Sequence, residues 1–290
     1  MSDEDVRQRI VEPEIVEDEI KLSPAAMPTA LASEEMLRTA ADPALTEDLA
    51  LSLLKRADLH PQILEQLAKN VSVLKSRKVK IALASHPHTP RHVSVPLARQ
   101  FYTFDLMKLA LSPGAPADVK VAVDDILIAR LETVTIGERL TLARRASGRV
   151  AAALLRYVEN ANGEVVEGKI VNGKIMDGKI MGSKSRSPQE RIMHAALDNS
   201  RLTEALVINS VLRADASAAL VHAVARHAKW CPRKEIRAAL LRTAHLSLGR
   251  ALEFSREIPA GLLHELLESS RLPVKIKDQL LRESQNASCS

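Results

Sequence analysis

Three histidines of this 290-residue chain, His86, His88 and His92, are spaced as His-x-His-x3-His. Imidazoles at such spacing can share a transition metal ion. However, Pro87 and Pro90 lie between them, and no carboxylate or cysteine is close by in the sequence. The segment is also typical of a turn between helices, where polar residues are expected. We therefore predict no metal site.

Other patterns of reactive residues are weaker. His222 and His227 are five residues apart and would point to different faces of a helix, and His264-Glu265 is the only His-Glu dipeptide. A chain resembling the di-iron hydroxylases built from HEAT-like repeats would contain several such dipeptides, and one is not enough. The sequence has no Gly-x-Ser-x-Gly elbow, P-loop or dinucleotide-binding fingerprint. We expect neither an enzyme nor a cofactor.

One cluster of cations surrounds the only tryptophan, and we call it the basic strip. Glu235 is the only acid within it, and its members are Arg226, Lys229, Trp230, Arg233, Lys234, Arg237 and Arg242. On one ridge of a helical protein, such a strip would suit an acidic partner or phosphates. The alternative is a solvated face whose tryptophan fills the core between helices.

Half of the six aromatic residues lie in one short stretch, at Phe101, Tyr102 and Phe104. They could stack on bases or line a groove. Three aromatics so close together are also typical of a wide gap between helices that has to be filled. We favour packing in the core.

Composition restricts the remaining possibilities. Apolar residues make up 46% of the chain but aromatics only 2%, so the core must be built from aliphatic residues and alanine. The two cysteines are too few for a disulfide framework or a structural zinc site. No apolar run reaches the length of a membrane span, and no secretory signal is recognisable at the start. We expect a cytoplasmic protein with no membrane partner.

The net charge of +5 conceals an uneven distribution. Residues 1–50 contain thirteen acidic and four basic residues, a net charge of −9. The remaining 37 basic and 23 acidic residues give +14. An acidic arm therefore precedes a basic body.

The body repeats one short pattern, in which small or polar residues and a proline precede an apolar face at helical spacing. Neighbouring anchor prolines lie about 26 to 30 residues apart within two groups, Pro61, Pro90 and Pro116 in the first and Pro232 and Pro259 in the second. A period in this range is typical of stacked helix pairs, because a single pair cannot bury its own apolar face. The pattern predicts an all-α fold, a right-handed α-solenoid of stacked helix pairs with one flexible insertion.

Several helix limits can be predicted. Residues 117–131 carry the clearest helical period. Ser187-Pro-Gln-Glu190 and Thr135-Ile-Gly-Glu138 have the pattern of capping boxes. Thr89 before Pro90 is predicted to accept a hydrogen bond as the N-cap of the next helix.

Two segments lack this pattern. We predict an acidic disordered arm over 1–44, with one helical stretch near Glu34–Thr39, and a flexible insert over 160–187 that repeats Gly-Lys-Ile. The insert could dock a partner or be a tolerated expansion. Helical repeats then occupy 45–159 and 188–283, and a frayed tail follows over 284–290.

The His-Pro and Thr-Pro pattern of Ser85 to Arg99 resembles bacterial HEAT-like and leucine-rich-repeat-variant helical proteins. Asp198 to Ala205 and Ala225 to Trp230 are similar to an uncharacterised family of the same kind. The resemblance covers most of the body, but Gly148 and Leu202 stand where other units have proline. It implies a scaffold for partners and supplies no site residue.

The hypothesis from sequence is a non-catalytic interaction scaffold that presents an extended surface to a protein partner. The alternative is a HEAT-like nucleic-acid-binding protein that uses the basic strip and is regulated by the acidic arm.

Overall fold

The computed structural model describes the chain over residues 27–160 and 187–288, with side chains over 34–156 and 187–284. These residues form seventeen α-helices and contain no strand. The first nine helices are α1 Met27–Ala41, α2 Glu47–Leu54, α3 Pro61–Lys69, α4 Val71–Leu74, α5 Arg77–Ser85, α6 Arg91–Arg99, α7 Thr103–Leu111, α8 Ala117–Ala129 and α9 Ile136–Arg145. The others are α10 Gly148–Asn160, α11 Pro188–Leu197, α12 Glu204–Val211, α13 Ala218–Arg226, α14 Lys234–Leu241, α15 Leu248–Ser255, α16 Ala260–Glu268 and α17 Val274–Ser288. The all-α prediction is confirmed for the described residues.

The helices pack mainly against near neighbours in the sequence. One row runs through α6, α8, α10, α12, α14 and α16, each helix contacting the next in the row. Alternate helices also contact each other in α5 and α7, in α9, α11 and α13, and in α15 and α17. Such contacts are those of stacked helices.

The helices are short because capped turns interrupt them at regular intervals. Buried turn residues follow one another 14 positions apart at Leu45 and Leu59, and again at Leu202, Ala216 and Trp230. One helix of eight or nine residues and its turn fill that interval. Because most turns place an apolar residue in the core, the connections take part in the packing of the fold.

Side-chain bonds join turns that are about two helices apart. The bonded residues are separated by 29 to 33 positions: Asn70 to Ala40, His86 to Arg56, Trp230 to Leu197 and Ser270 to Leu241. In each case a side chain bonds a main-chain carbonyl near the end of an earlier helix, where the last carbonyls lack partners within the helix. The bonds therefore satisfy helix ends and hold neighbouring turns together.

Both predicted capping boxes are confirmed. Thr135 and Glu138 exchange bonds at the start of α9, and Ser187 and Glu190 do so at the start of α11. Hydrogen bonds from the Thr135 main chain and then its side chain hold the pKa of Glu138 below its usual value. The helix predicted over 117–131 is α8, which ends two residues earlier.

The prediction for Thr89 is wrong. Helix α6 begins at Arg91 with Pro90 as its N-cap, and no side chain caps it. Thr89 is buried, and its hydroxyl donates to the Leu83 carbonyl oxygen at 2.6 Å. The hydroxyl serves the end of α5 instead of the start of α6, because the turn folds it back toward the preceding helix.

Helix packing starts before residue 45, where the helical repeats were predicted to begin. The stretch predicted at Glu34–Thr39 belongs to α1, which contacts α3. Ala40 is fully buried, and Asn70 donates to the carbonyl oxygens of Ala40 and Asp42. The arm prediction for 1–26 and the insert prediction for 161–186 lie outside the described residues. Among the described helices, none combines the length and hydropathy needed to cross a membrane.

Candidate interaction surfaces

His86 of the histidine cluster is bound into the fold. It is 4% exposed; its Nε2 lies 2.8 Å from the Arg56 carbonyl oxygen, and its Nδ1 accepts from the His88 main-chain N–H. Both ring nitrogens are therefore in use. His92 lies apart on α6, where its Nε2 is 3.4 Å from a Glu65 carboxylate oxygen.

His222 and His227 each have partners of their own. His222 bonds the His245 carbonyl oxygen, and His227 lies 3.1 Å from a carboxylate oxygen of Asp198 while accepting from the Lys229 main chain. In the described ranges, no three or more His, Cys, Asp or Glu residues are grouped so that they could hold a metal ion.

The basic strip extends from the end of α13 across the turn and along α14. Its tryptophan is not on the surface, because Trp230 is 1% exposed and donates its indole N–H to the Leu197 carbonyl oxygen at 2.9 Å. The structure thus agrees with the alternative interpretation of Trp230 as a residue that fills the core between helices. A partner can reach only the cations around it.

Two of these cations cover the indole ring. Lys229 lies 4.3 Å and Arg233 5.2 Å from the ring centre, close enough for cation–π attraction. Lys229 also donates to the Asn199 carbonyl oxygen, and Arg233 pairs with Glu204 at 2.5 Å. Burial and the neighbouring Arg233 charge lower the pKa of Lys229.

The rest of the strip divides into bound and unbound cations. Arg237 donates to the Cys231 carbonyl oxygen and pairs with Glu257, and Arg242 donates to the Ser269 hydroxyl. Arg226 and Lys234 are exposed and bond no other described residue. Four of the six cations therefore bond other parts of the fold, and the charges of Arg233 and Arg237 are paired with carboxylates.

The three clustered aromatic residues have different environments. Phe101 is 5% exposed and belongs to the core, as favoured from the sequence. Tyr102 and Phe104 are 71% and 40% exposed. Arg77 lies 5.0 Å from the centre of the Tyr102 ring and pairs with the buried Asp105 at 2.6 Å. The core-packing interpretation thus holds for Phe101 and fails for Tyr102, because the turn before α7 points that ring outward.

A second cationic surface, which the sequence did not reveal, lies across α8, α10 and α12. It is a groove of about 240 Å³ with three arginines, and we call it the arginine groove. Its lining is Ile128, Arg149, Ala152, Arg156, Leu206, Asn209, Ser210 and Arg213. Arg149 and Arg156 share a helix face at i and i+7, which was a usable signal. Arg213 comes 57 positions after Arg156, and only packing brings the two together.

Comparison of the chain with protein-family models, curated proteins and solved structures finds no match.

Proposed function

We propose that the chain is a non-catalytic interaction scaffold, a right-handed α-solenoid that presents its row of helices to a protein partner. The observation that carries this proposal is the unbroken row from α6 to α16, together with bonds that recur at about 29 positions. Units that contact only their neighbours build a long face, and such faces bind extended partners.

The use of the polar side chains supports a non-catalytic role. Both ring nitrogens of His86 bond main-chain groups, and those of His227 bond Asp198 and a main-chain N–H. The Trp230 indole N–H bonds a main-chain carbonyl oxygen. Residue types that often do chemistry act here as connectors between turns. The exposed Tyr102 and the arginine groove supply the kind of side chains that are enriched at protein interfaces.

The experiment is capture on the immobilised full-length chain, followed by measurement of direct binding between the purified partner and the free chain by calorimetry. We expect a saturable complex that is unchanged by nuclease treatment. A matched variant, Tyr102→Ala, tests the aromatic surface, with Ser200→Ala at an exposed residue as its control. Recovery of nucleic acid alone, or a captured protein that fails to bind in solution, would refute the proposal.

A nucleic-acid-binding role is the second candidate, because residues 51–290 carry +14 and the arginine groove adds a local cationic site. Release of counterions from phosphates would make such binding steeply dependent on salt. Removal of residues before Thr46 is unsuitable as a test, since it would delete α1 and its contact with α3.

The better experiment keeps the full chain and replaces the acids at 12, 14, 17, 18 and 19 with their amides. Binding of labelled duplex DNA is then titrated across salt for both proteins. Binding that is steep in salt and stronger for the amide variant would favour this role and the regulatory arm. Negligible binding by both would exclude it.

A further inference from the structure

The arginine groove combines an apolar floor with a charged rim. Ala152 is buried, and Ile128 and Leu206 are half-buried, so aliphatic surface lies at the bottom. Arg149 and Arg156 are exposed above it, about two turns apart on the same helix. This arrangement accepts an aliphatic side chain and a neighbouring anion at the same time.

The three guanidinium groups differ in what they already bind. Arg149 pairs with Asp125 at 2.8 Å and donates to the Val121 carbonyl oxygen. Arg213 pairs with Asp215, and this bond is the main reason why the pKa of Asp215 is lowered, with a smaller contribution from Arg156. Arg156 forms no ion pair or hydrogen bond with another described residue, so its donors are open to a ligand.

We propose that the arginine groove docks a peptide segment of a partner protein, one that combines carboxylates with aliphatic side chains. The inference rests on the proposed scaffold function and names the chemistry of its partner. A carboxylate can bind Arg156 in a bidentate fashion while an aliphatic neighbour covers Ala152 and Leu206.

The rim itself argues against a nucleic-acid backbone as the occupant. Asp125 and Asp215 stand beside two of the three arginines, and both are exposed. A continuous row of phosphates would lie next to these carboxylates, whereas a peptide can place an apolar residue opposite each one. Aliphatic surface at the floor adds affinity only for a ligand with apolar side chains.

The test uses the full-length chain and a fluorescein-labelled peptide in which glutamate and leucine alternate, read by fluorescence anisotropy. A peptide with glutamine in place of glutamate is the matched ligand control. Arg156→Glu reverses the unpaired charge in the groove. Arg144→Glu makes the same change on α9, which lines no part of the groove, and circular dichroism checks that both variants fold.

We expect Arg156→Glu to weaken binding of the glutamate peptide by about tenfold or more, and Arg144→Glu to leave it within about twofold. Binding should also weaken as salt rises, and the glutamine peptide should not bind measurably. Equal weakening by both variants would show that only net charge is sensed and would overturn the proposal. No binding of the glutamate peptide to the unaltered chain would overturn it too.

Two further outcomes separate this inference from the proposed function. A captured protein partner that binds Arg156→Glu as tightly as the unaltered chain overturns the groove assignment but leaves the scaffold role intact. Duplex DNA that displaces the peptide and itself loses affinity in Arg156→Glu also overturns it, in favour of a phosphate ligand.

Discussion

Several buried side chains of this protein join one turn to another. Asn70, His86, Trp230 and Ser270 each bond a carbonyl about two helices away, and Asn199 does the same across the 161–186 segment. A buried carbonyl that loses such a donor remains unsatisfied, which destabilises the fold more than the bond itself stabilises it. These residues are therefore expected to affect stability more than binding.

Asn199→Ala tests this view at the most connected position. Asn199 is 2% exposed, donates to the carbonyl oxygens of Ala143 and Ala146, and accepts from the Arg201 main chain. We expect the free energy of unfolding in urea to fall by about 2–3 kcal/mol. Asn209→Ala, the same change at an exposed position, should alter it by less than about 0.5 kcal/mol. Equal losses would contradict the connector role.

Asp124 is expected to make the folded state less stable as pH rises, which is opposite to the usual effect of an aspartate. It is 5% exposed, and burial raises its pKa, opposed by a hydrogen bond from Ser147 and the charge of Arg149. Because the folded-state pKa exceeds the unfolded value, the folded state holds this proton more tightly. The free-energy cost of burying the ionised Asp124 carboxylate is absent below the unfolded-state pKa. It grows as pH rises toward and through the folded-state pKa, and it is complete above that value.

Asp124→Asn should therefore stabilise the chain at pH 7, by something of the order of 1 kcal/mol, and the gain should vanish in acid. Asp125→Asn is the adjacent control, because it removes an exposed ion pair with Arg149 and should be neutral or slightly destabilising. Thermal unfolding followed across pH measures both. Destabilisation by Asp124→Asn at pH 7 would show that its hydrogen bond outweighs its burial.

The start of α10 lies so close to the turn after α11 that only a residue without a side chain fits there. A Cβ added to Gly148, at the start of α10, would lie 2.3 Å from the Arg201 carbonyl oxygen. A Cβ at Gly137, within α9, would meet nothing within 4 Å. Glycine at 148 is thus required by packing, at a place where other units have proline.

Gly148→Ala should lower the free energy of unfolding by about 2 kcal/mol, because α10 and the turn after α11 have to separate. Gly137→Ala should raise it, by as much as about 1 kcal/mol, because alanine is the better helix former. Urea unfolding compares the two variants directly. A gain of the same size in both would point to helix propensity instead of packing.

Because helices contact mainly their near neighbours, we expect a destabilising substitution to affect only the helices around it. The main contacts among the described helices all join near neighbours, so stability is expected to be distributed along the stack. The variant Leu263→Ala creates a cavity in α16, where Leu263 is fully buried. We expect faster hydrogen exchange in α14–α17 and unchanged exchange in α5–α8.

The matched variant Leu106→Ala places the same cavity in α7, at an equally buried residue. The opposite pattern is expected, with faster hydrogen exchange in α5–α8 and unchanged exchange in α14–α17. Uniform acceleration along the chain in either variant would mean that the helices unfold as one cooperative unit.

The sequence alone determined the all-α class, the capped helix starts at Thr135 and Ser187, and the helix after Pro116, because period and capping are properties of neighbouring residues. It could not decide where a side chain bonds across about 29 positions. It also placed the Thr89 hydroxyl at the wrong helix end, because the direction of the turn decides which of two nearby helix ends the hydroxyl reaches. Only the tertiary structure removed Trp230 from the surface and committed four strip cations to internal partners. It alone assembled the arginine groove, since the distance between Arg156 and Arg213 is set by helix packing and not by their separation in the sequence.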